Sequence, residues 1–111
     1  MKKKLSEFAE EIFLQTDLRV LLCLNEKKKY LGEIISETNY SRNTVNTVLK
    51  RLLDSDKVYR AVGESGKYMY GVSTELDIDT EQYAILDYLM NNHKKIMTPN
   101  SCRIICVLLD D

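Results

Sequence analysis

Hydrophobic residues spaced three and four positions apart predict two amphipathic helices at the start of the chain. The first predicted helix covers residues 5–14, and its apolar side consists of Leu5, Phe8, Ala9, Ile12 and Phe13. The second begins at Thr16 or Asp17, either of which can cap it, and continues to about Asn25. Its apolar positions are Leu18, Leu21, Leu22 and Leu24.

Two more helices are predicted on either side of a short polar turn. The shorter has its apolar positions at Leu31, Ile34 and Ile35, and the longer has them at Val45, Val48, Leu49, Leu52 and Leu53. Between them, Asn39 tolerates the left-handed conformation that ends helices, and Ser41 is a good N-cap for the next helix. The sequence therefore predicts helix, tight turn, helix, with a continuous buried stripe on the longer helix.

A β-hairpin is predicted after the longer helix. Residues 58–62 and 68–72 are rich in Val, Tyr and other β-prone residues, and residues 63–66 read Gly-Glu-Ser-Gly. A four-residue tip with glycines at positions that favour positive φ is typical of a hairpin turn. Arg60 and Lys67 flank this tip. A hairpin that follows a helix-turn-helix occupies the place of a wing.

The face of the longer helix opposite its apolar stripe carries amides, a hydroxyl and cations. At 100° per residue the positions that point away from the stripe are Asn43, Asn46, Thr47, Lys50 and Arg51, with Arg42 on the flank. Asn can pair with adenine through two hydrogen bonds, and Arg and Lys can reach guanine edges or phosphates. The alternative is an ordinary solvated helix face, with solvated cations on an ordinary hairpin.

Charge distribution favours the DNA-binding interpretation. Residues 40–68 contain six cations and three acids, a net of +3, in a chain whose net charge is −1, which leaves −4 for the remainder. No acid occurs from Arg42 through Leu53. A basic segment within an acidic chain is expected of a surface that faces phosphates.

The segment from Ser41 to Arg60 resembles the recognition helix of the winged helix-turn-helix family and its exit into the wing. The matching residues are Ser41, Arg42, Thr44, Val45, Val48, Leu49, Leu52, Leu53, Val58 and Arg60. The resemblance covers about residues 16–73. The glycine usual after the recognition helix is replaced by Asp54-Ser55-Asp56, which also favours a turn.

The resemblance implies a bacterial, archaeal or phage-type DNA-binding domain, usually a homodimer. The predicted fold class is mainly α with a small β-hairpin wing (α+β), a winged helix-turn-helix with extra N- and C-terminal elements. Arg42, Asn43, Asn46 and Thr47 are expected near bases, and Lys50, Arg51, Arg60 and Lys67 on phosphates. The full set of predicted DNA-binding residues is Arg42, Asn43, Thr44, Asn46, Thr47, Lys50, Arg51, Arg60 and Lys67.

Beyond the wing, a polar linker over residues 73–79 leads to a predicted helix over residues 80–92. The apolar side of this helix is broad, which favours a dimer interface for it and for helix 5–14. The alternative is packing within one subunit. The apolar run over residues 102–109 favours a buried strand because of its β-branched content, and a short helix is the alternative.

Other classes of function find little support in the sequence. There is no phosphate-binding Gly loop and no triad pattern around the single His, so an enzyme is not expected and no cofactor is predicted. Cys102 and Cys106 with His93 invite a metal or redox site, but their spacing and number favour buried structural cysteines, and no metal is predicted. With no signal peptide and no apolar run of membrane-spanning length, one cytoplasmic domain over residues 1–111 is expected, without membrane contact.

These observations predict a sequence-specific double-stranded DNA-binding protein, most consistent with a small dimeric repressor that acts by occupying its operator. One alternative is a DNA-segregation adaptor, as in plasmid partition, that binds repeated sites. The other is a winged-helix module that binds a protein partner, for which the acidic terminal segments are suited. A single palindromic site favours the repressor, an array of direct repeats favours the adaptor, and absence of DNA binding favours the protein-binding module.

Overall fold

A computed structural model describes residues 3–4, 7, 15–92 and 98–109 of the chain. The helices within these residues are α1 (Gln15–Asn25), α2 (Leu31–Thr38), α3 (Arg42–Asp54), α4 (Thr80–Asn92) and α5 (Pro99–Leu109). The strands are β1 (Lys3–Lys4), β2 (Lys29–Tyr30), β3 (Val58–Val62), β4 (Tyr68–Val72) and β5 (Leu76–Asp77). The architecture is α+β, as the sequence predicted.

The strands form one small antiparallel sheet and one short parallel pair. Within the described residues the sheet has the order β2-β4-β3, and β1 pairs with β5 in parallel. In the β3–β4 hairpin, Arg60 lies opposite Tyr70 and Val62 lies opposite Tyr68. Because side chains alternate along a strand, these four residues share one face of the wing.

The turn between α2 and α3 forms as its residues predict. Asn39 ends α2 in the left-handed region with a φ of 60°, and its backbone N–H donates to the carbonyl of Ile35. Ser41 then caps α3, accepting a hydrogen bond from the backbone N–H of Thr44 at 3.1 Å. The left-handed residue reverses the chain, and the cap satisfies a backbone donor that the first turn of α3 leaves without a helical partner.

The end of α3 shows how the chain replaces the usual glycine. Asp56 takes the left-handed conformation, with a φ of 60°. The N–H of Lys57 donates to the carbonyl of Leu52 at 2.9 Å, and the N–H of Asp56 donates to that of Leu53 at 3.1 Å. This pair of hydrogen bonds is a Schellman ending, which tolerates Asp because aspartate enters the left-handed region more readily than most residues.

The core is centred on α1, which is buried around almost its whole circumference. The four leucines of its predicted stripe are each about 1% exposed or less, but Val20 and Cys23, outside that stripe, are equally buried. The helix contacts α2, α3, α4 and β4, and all of its residues from Asp17 to Leu24 are buried. The buried hydrophobic residues from the other elements are Ile34, Val45, Val48, Leu49, Leu52, Val58, Leu76, Leu86, Met90 and Cys106.

The strand favoured for residues 102–109 is wrong, because this segment belongs to helix α5. Pro99 occupies the first turn, where a missing N–H costs nothing, and the Thr98 hydroxyl accepts a hydrogen bond from the N–H of Ser101. Cys106 is buried, while Ile104 and Leu108 are more than 60% exposed. Since both faces of the helix are apolar, the helical period is hidden in the sequence.

One of the remaining predicted helices is present, and the other lies almost wholly outside the described residues. Helix α4 occupies the predicted range 80–92, and the polar segment before it contains the short strand β5. The helix predicted over residues 5–14 lies outside the described residues except for Glu7. No helix in the described part of the chain has the length and apolar content needed to cross a membrane.

Candidate nucleic-acid interface

The exposed face of α3 carries the residue types that the sequence placed there. Arg42, Asn43, Asn46, Thr47 and Lys50 are all exposed. Within the described part of the chain, no hydrogen bond or ion pair engages the side chains of Arg42, Asn43, Asn46 or Lys50. Their donors and acceptors therefore point to solvent from one surface of a single helix.

Two threonines on α3 also bond within the helix. The hydroxyl of Thr47 donates to the carbonyl of Asn43 at 2.9 Å. Thr44 is only partly exposed, and its hydroxyl accepts from that of the capping residue Ser41 at 3.0 Å. Thr44 therefore supports the helix start, and Thr47 can still accept a hydrogen bond from a ligand.

Arg51 differs from the other predicted contact residues, because its guanidinium is bound to Asp17 of α1. Its Nη2 lies 2.7 Å from Oδ1 of Asp17, and its Nε lies 3.3 Å from Oδ2. The hydrogen bond to Asp17 raises the pKa of Arg51 above its ordinary value. This two-point ion pair joins α3 to α1, and the Arg51 side chain stays partly exposed beside it. The expected phosphate contact of Arg51 stays a prediction.

The wing places its two cations differently. Lys67 is exposed beside the tip, where Gly66 has a φ of 80° and the N–H of Gly63 donates to the carbonyl of Lys67. Arg60 lies on β3 with its guanidinium carbon 4.5 Å from the centre of the Tyr68 ring. Lys67 is therefore an exposed point charge on a long side chain, and Arg60 is held against an aromatic face.

Two open grooves border the wing, and Tyr70 contributes to both of them. One, of about 460 Å³, runs between α3 and the strands of the wing. The other, of about 760 Å³, lies between the start of α2, the start of α3 and the wing tip, and includes Arg42 and Lys67. Tyr70 was not among the predicted DNA-binding residues, because a strand tyrosine packs on the sheet more often than it lines a binding surface.

A polar cluster behind this surface supports the helix-turn-helix. Lys29 is buried on β2, and its Nζ donates to Oε2 of Glu37 at 2.9 Å and to the carbonyl of Cys23. Lys29 ends a run of three lysines, a pattern typical of a solvated loop, but its amino group has partners inside the fold. Burial lowers the pKa of Lys29, but the hydrogen bond and charge of Glu37 outweigh this and raise it overall.

Cys23 is expected to be unreactive in the folded protein. Its thiol is 1% exposed and donates to the Glu37 carboxylate at 3.0 Å. Burial, followed by that hydrogen bond, raises its pKa to about 12. Alkylation followed by peptide mass spectrometry at pH 8 should leave Cys23 unmodified until denaturant is added, and rapid modification of the native chain would contradict this. The raised pKa of Cys23 also makes the stability of the fold depend on pH. Since the folded pKa of Cys23 exceeds the unfolded value, the stabilisation that comes from keeping the thiol protonated is complete below about pH 9 and is lost as the pH rises towards 12.

The part of the chain that the structure describes contains no set of side chains arranged to bind a metal ion. No group of three or more His, Cys, Asp or Glu residues there is placed to hold an ion. Cys23 and Cys106 are buried thiols. His93 and the side chain of Cys102 lie outside the described residues, so the interpretation of Cys102 as structural stays a prediction.

Comparison with known proteins supports the fold. No protein-family model matches the chain, and neither does any curated protein. The solved structure of a mutant of ZitR from Lactococcus lactis is similar to it, with a TM-score of 0.52 and 14% sequence identity. The similarity covers 76% of this chain and 55% of that chain, so this chain spans little more than half of the ZitR structure. The likeness is one of fold, a winged helix with α+β architecture.

Proposed function

We propose that this protein binds double-stranded DNA in a sequence-specific manner and acts as a small dimeric transcriptional repressor that occupies its operator. The observation that carries the proposal is the exposed face of α3. It presents amides, a hydroxyl and cations, contains no acid from Arg42 through Leu53, and lies beside a wing with two further cations. The similarity of fold to the ZitR structure supports the proposal at the level of architecture.

In the proposed complex α3 lies in the major groove and presents its N-terminal turns to the bases. Asn43 and Asn46 are one helical turn apart, so both can reach base edges from the same side of the helix. Arg42 at the helix start and Thr47 are also placed near bases, and Lys50 lies towards a flanking phosphate. The Asp17–Arg51 ion pair holds the helix at a fixed angle, which reduces the cost of ordering it on binding.

The proposal can be tested with Lys67→Met, measured by fluorescence anisotropy on random and selected duplexes at several salt concentrations. We expect this variant to bind all sequences more weakly by a similar factor, and its salt slope to fall by about one, because one phosphate contact is lost. Lys27→Met is the matched control, since Lys27 is exposed but lies outside α3 and the wing. A wild-type protein that binds no duplex at low salt would refute the proposal and favour a protein-binding role.

Dimerisation is proposed because α4 and α5 expose apolar side chains. Ile85 and Tyr88 on α4 are 41% and 59% exposed, while Ile104 and Leu108 on α5 are 61% and 67% exposed. Leu86 and Met90 of α4 are buried in the core of the same chain, so only part of its broad apolar side is left for a partner. Exposed apolar side chains that lie together over a few hundred Å² mark interaction sites on soluble proteins, and we propose that these residues form such a surface.

Leu108→Glu is therefore expected to shift the protein from dimer to monomer at micromolar concentration. A charge placed in an apolar interface must be desolvated without a partner, which costs more than the contact of one leucine contributes. Sedimentation velocity over a tenfold range of concentration measures this directly. Thr74→Glu introduces the same charge at an exposed position of the linker and should leave the mass unchanged, and a monomeric wild type would contradict the prediction.

A further inference from the structure

Arg60 and Tyr68 form a cation–π pair on one face of the wing, and Arg60 also lines the groove between the wing and α3. Because Arg60 lies opposite Tyr70 and Tyr68 lies opposite Val62, the two are diagonal neighbours on adjacent strands. The guanidinium carbon lies 4.5 Å from the ring centre, within the range of an attractive contact. The Tyr68 ring is 48% exposed, so it covers one face of the guanidinium without enclosing it.

Arg60 lies among polar, apolar and charged side chains of both signs. It lines the groove between α3 and the wing with a set of residues that includes an acid, namely Asn46, Leu49, Lys50, Leu53, Asp54 and Tyr70. The Asp54 carboxylate offsets part of the positive charge that Arg60 and Lys50 give this groove, which weakens its attraction for a phosphate. A base edge carries no net charge and loses no such attraction, and Asn46 in the same groove has the amide that pairs with bases.

We propose that Arg60 reads a base edge, with guanine the base that suits it, and that Tyr68 is the positioning residue that holds it for this contact. The proposal rests on the proposed function, since it requires that the chain bind DNA. Stacking on one face of a guanidinium leaves its edge donors free, and two parallel donors match the O6 and N7 acceptors of guanine. Fixing the plane before binding lowers the ordering cost and favours one orientation. This assignment replaces the phosphate contact that the sequence predicted for Arg60.

The reading role is tested with Arg60→Lys, which keeps the charge but loses the two-donor fork. The probes are the duplex selected by the wild-type protein and a panel that carries each single base-pair change. We expect Arg60→Lys to lose about five- to hundredfold of discrimination at one position, with an unchanged salt slope. Arg60→Lys with wild-type discrimination at every position would overturn the reading role, as would Arg60→Met that weakens all duplexes alike and lowers the slope by one.

The positioning role is tested by a double-mutant cycle with Tyr68→Leu and Arg60→Met. Tyr68→Leu should weaken binding to the selected duplex about two- to fivefold, and Tyr68→Phe, which keeps the ring, should bind like the wild type. In the Arg60→Met background, Tyr68→Leu should have no further effect. Equal losses from Tyr68→Leu in both backgrounds would show a merely structural role and overturn the assignment. Failure of the wild-type protein to bind any duplex would refute the proposed function itself, a distinct result.

Discussion

Asp87→Ala is expected to destabilise the folded protein by about 2–4 kcal/mol, because it removes the carboxylate that faces a buried arginine. Arg19 of α1 is 7% exposed, and its Nη1 lies 2.6 Å from Oδ1 of Asp87 on α4. The contact is a close approach of charges without hydrogen-bond alignment, since Oδ1 has no hydrogen-bond partner among the described residues, nor has Nε of Arg19. Removing Asp87 would leave the guanidinium with neutral partners.

The neutral partners of Arg19 connect it to the candidate DNA-binding surface. Its Nη2 donates to the carbonyl of Glu37 near the end of α2 at 3.3 Å, and its Nη1 approaches the hydroxyl of Tyr83 on α4 at 3.5 Å. The Arg19 side chain thus joins helix α4 to Glu37, which lies two positions before Asn39 and the turn that leads into α3. A loss at Asp87 should therefore reach the helix-turn-helix as well as α4.

Chemical denaturation at a fixed protein concentration measures the predicted loss, since oligomerisation would make stability depend on concentration. Glu75→Ala is the matched control, because it removes an exposed carboxylate that has no partner among the described residues, and it should change stability by less than about 0.5 kcal/mol. Arg19→Met combined with Asp87→Ala should recover at least half of the loss, since the unpaired charge is then gone. If Asp87→Ala costs no more than Glu75→Ala, the ion pair contributes nothing measurable.

The helix-turn-helix could be predicted from sequence because each feature that determines it is local. The stripe from Val45 to Leu53, the left-handed Asn39 and the Ser41 cap each depend on residues within a few positions, and the structure has them as predicted. Helix α5 could not be predicted because its exposed face is as apolar as its buried one. Periodicity distinguishes a helix from a strand only where the two faces differ in polarity.

The candidate site was less predictable, because partners distant in sequence decide what a charged residue does. Arg51 lies on the polar side of α3 by helical geometry, but Asp17, 34 residues earlier, binds it. Lys29 looked solvated in a run of lysines, but Glu37 and the Cys23 carbonyl surround its amino group. Arg60 was assigned by its charge alone, since the predicted hairpin does not show that the ring of its diagonal neighbour Tyr68 stacks on the guanidinium. Charge and helical periodicity predict that a side chain could contact DNA. Only the fold shows whether another residue of the chain already binds it.

Asn46→Ala is expected to relax sequence preference by about five- to hundredfold at one base pair while leaving overall folding intact. The side chain is exposed and has no partner among the described residues, so its removal leaves nothing unsatisfied in the free protein. In the complex, loss of a bidentate pair with adenine costs roughly 1–3 kcal/mol against that base and little against the others. Alanine is also the better helix former, so α3 should be no less stable.

The measurement is competition binding of a randomised duplex library, read by sequencing, for the wild type, Asn43→Ala, Asn46→Ala and the control Asn91→Ala. Asn91 is an exposed amide on α4, and its loss should leave the preferred sequence unchanged. Because no charge changes, the salt slope of every variant should match the wild type, in contrast to Lys67→Met. If both recognition-helix variants kept the full wild-type preference, the amides of α3 would have no part in reading bases. Sequence readout would then have to come from the wing or from the shape of the DNA.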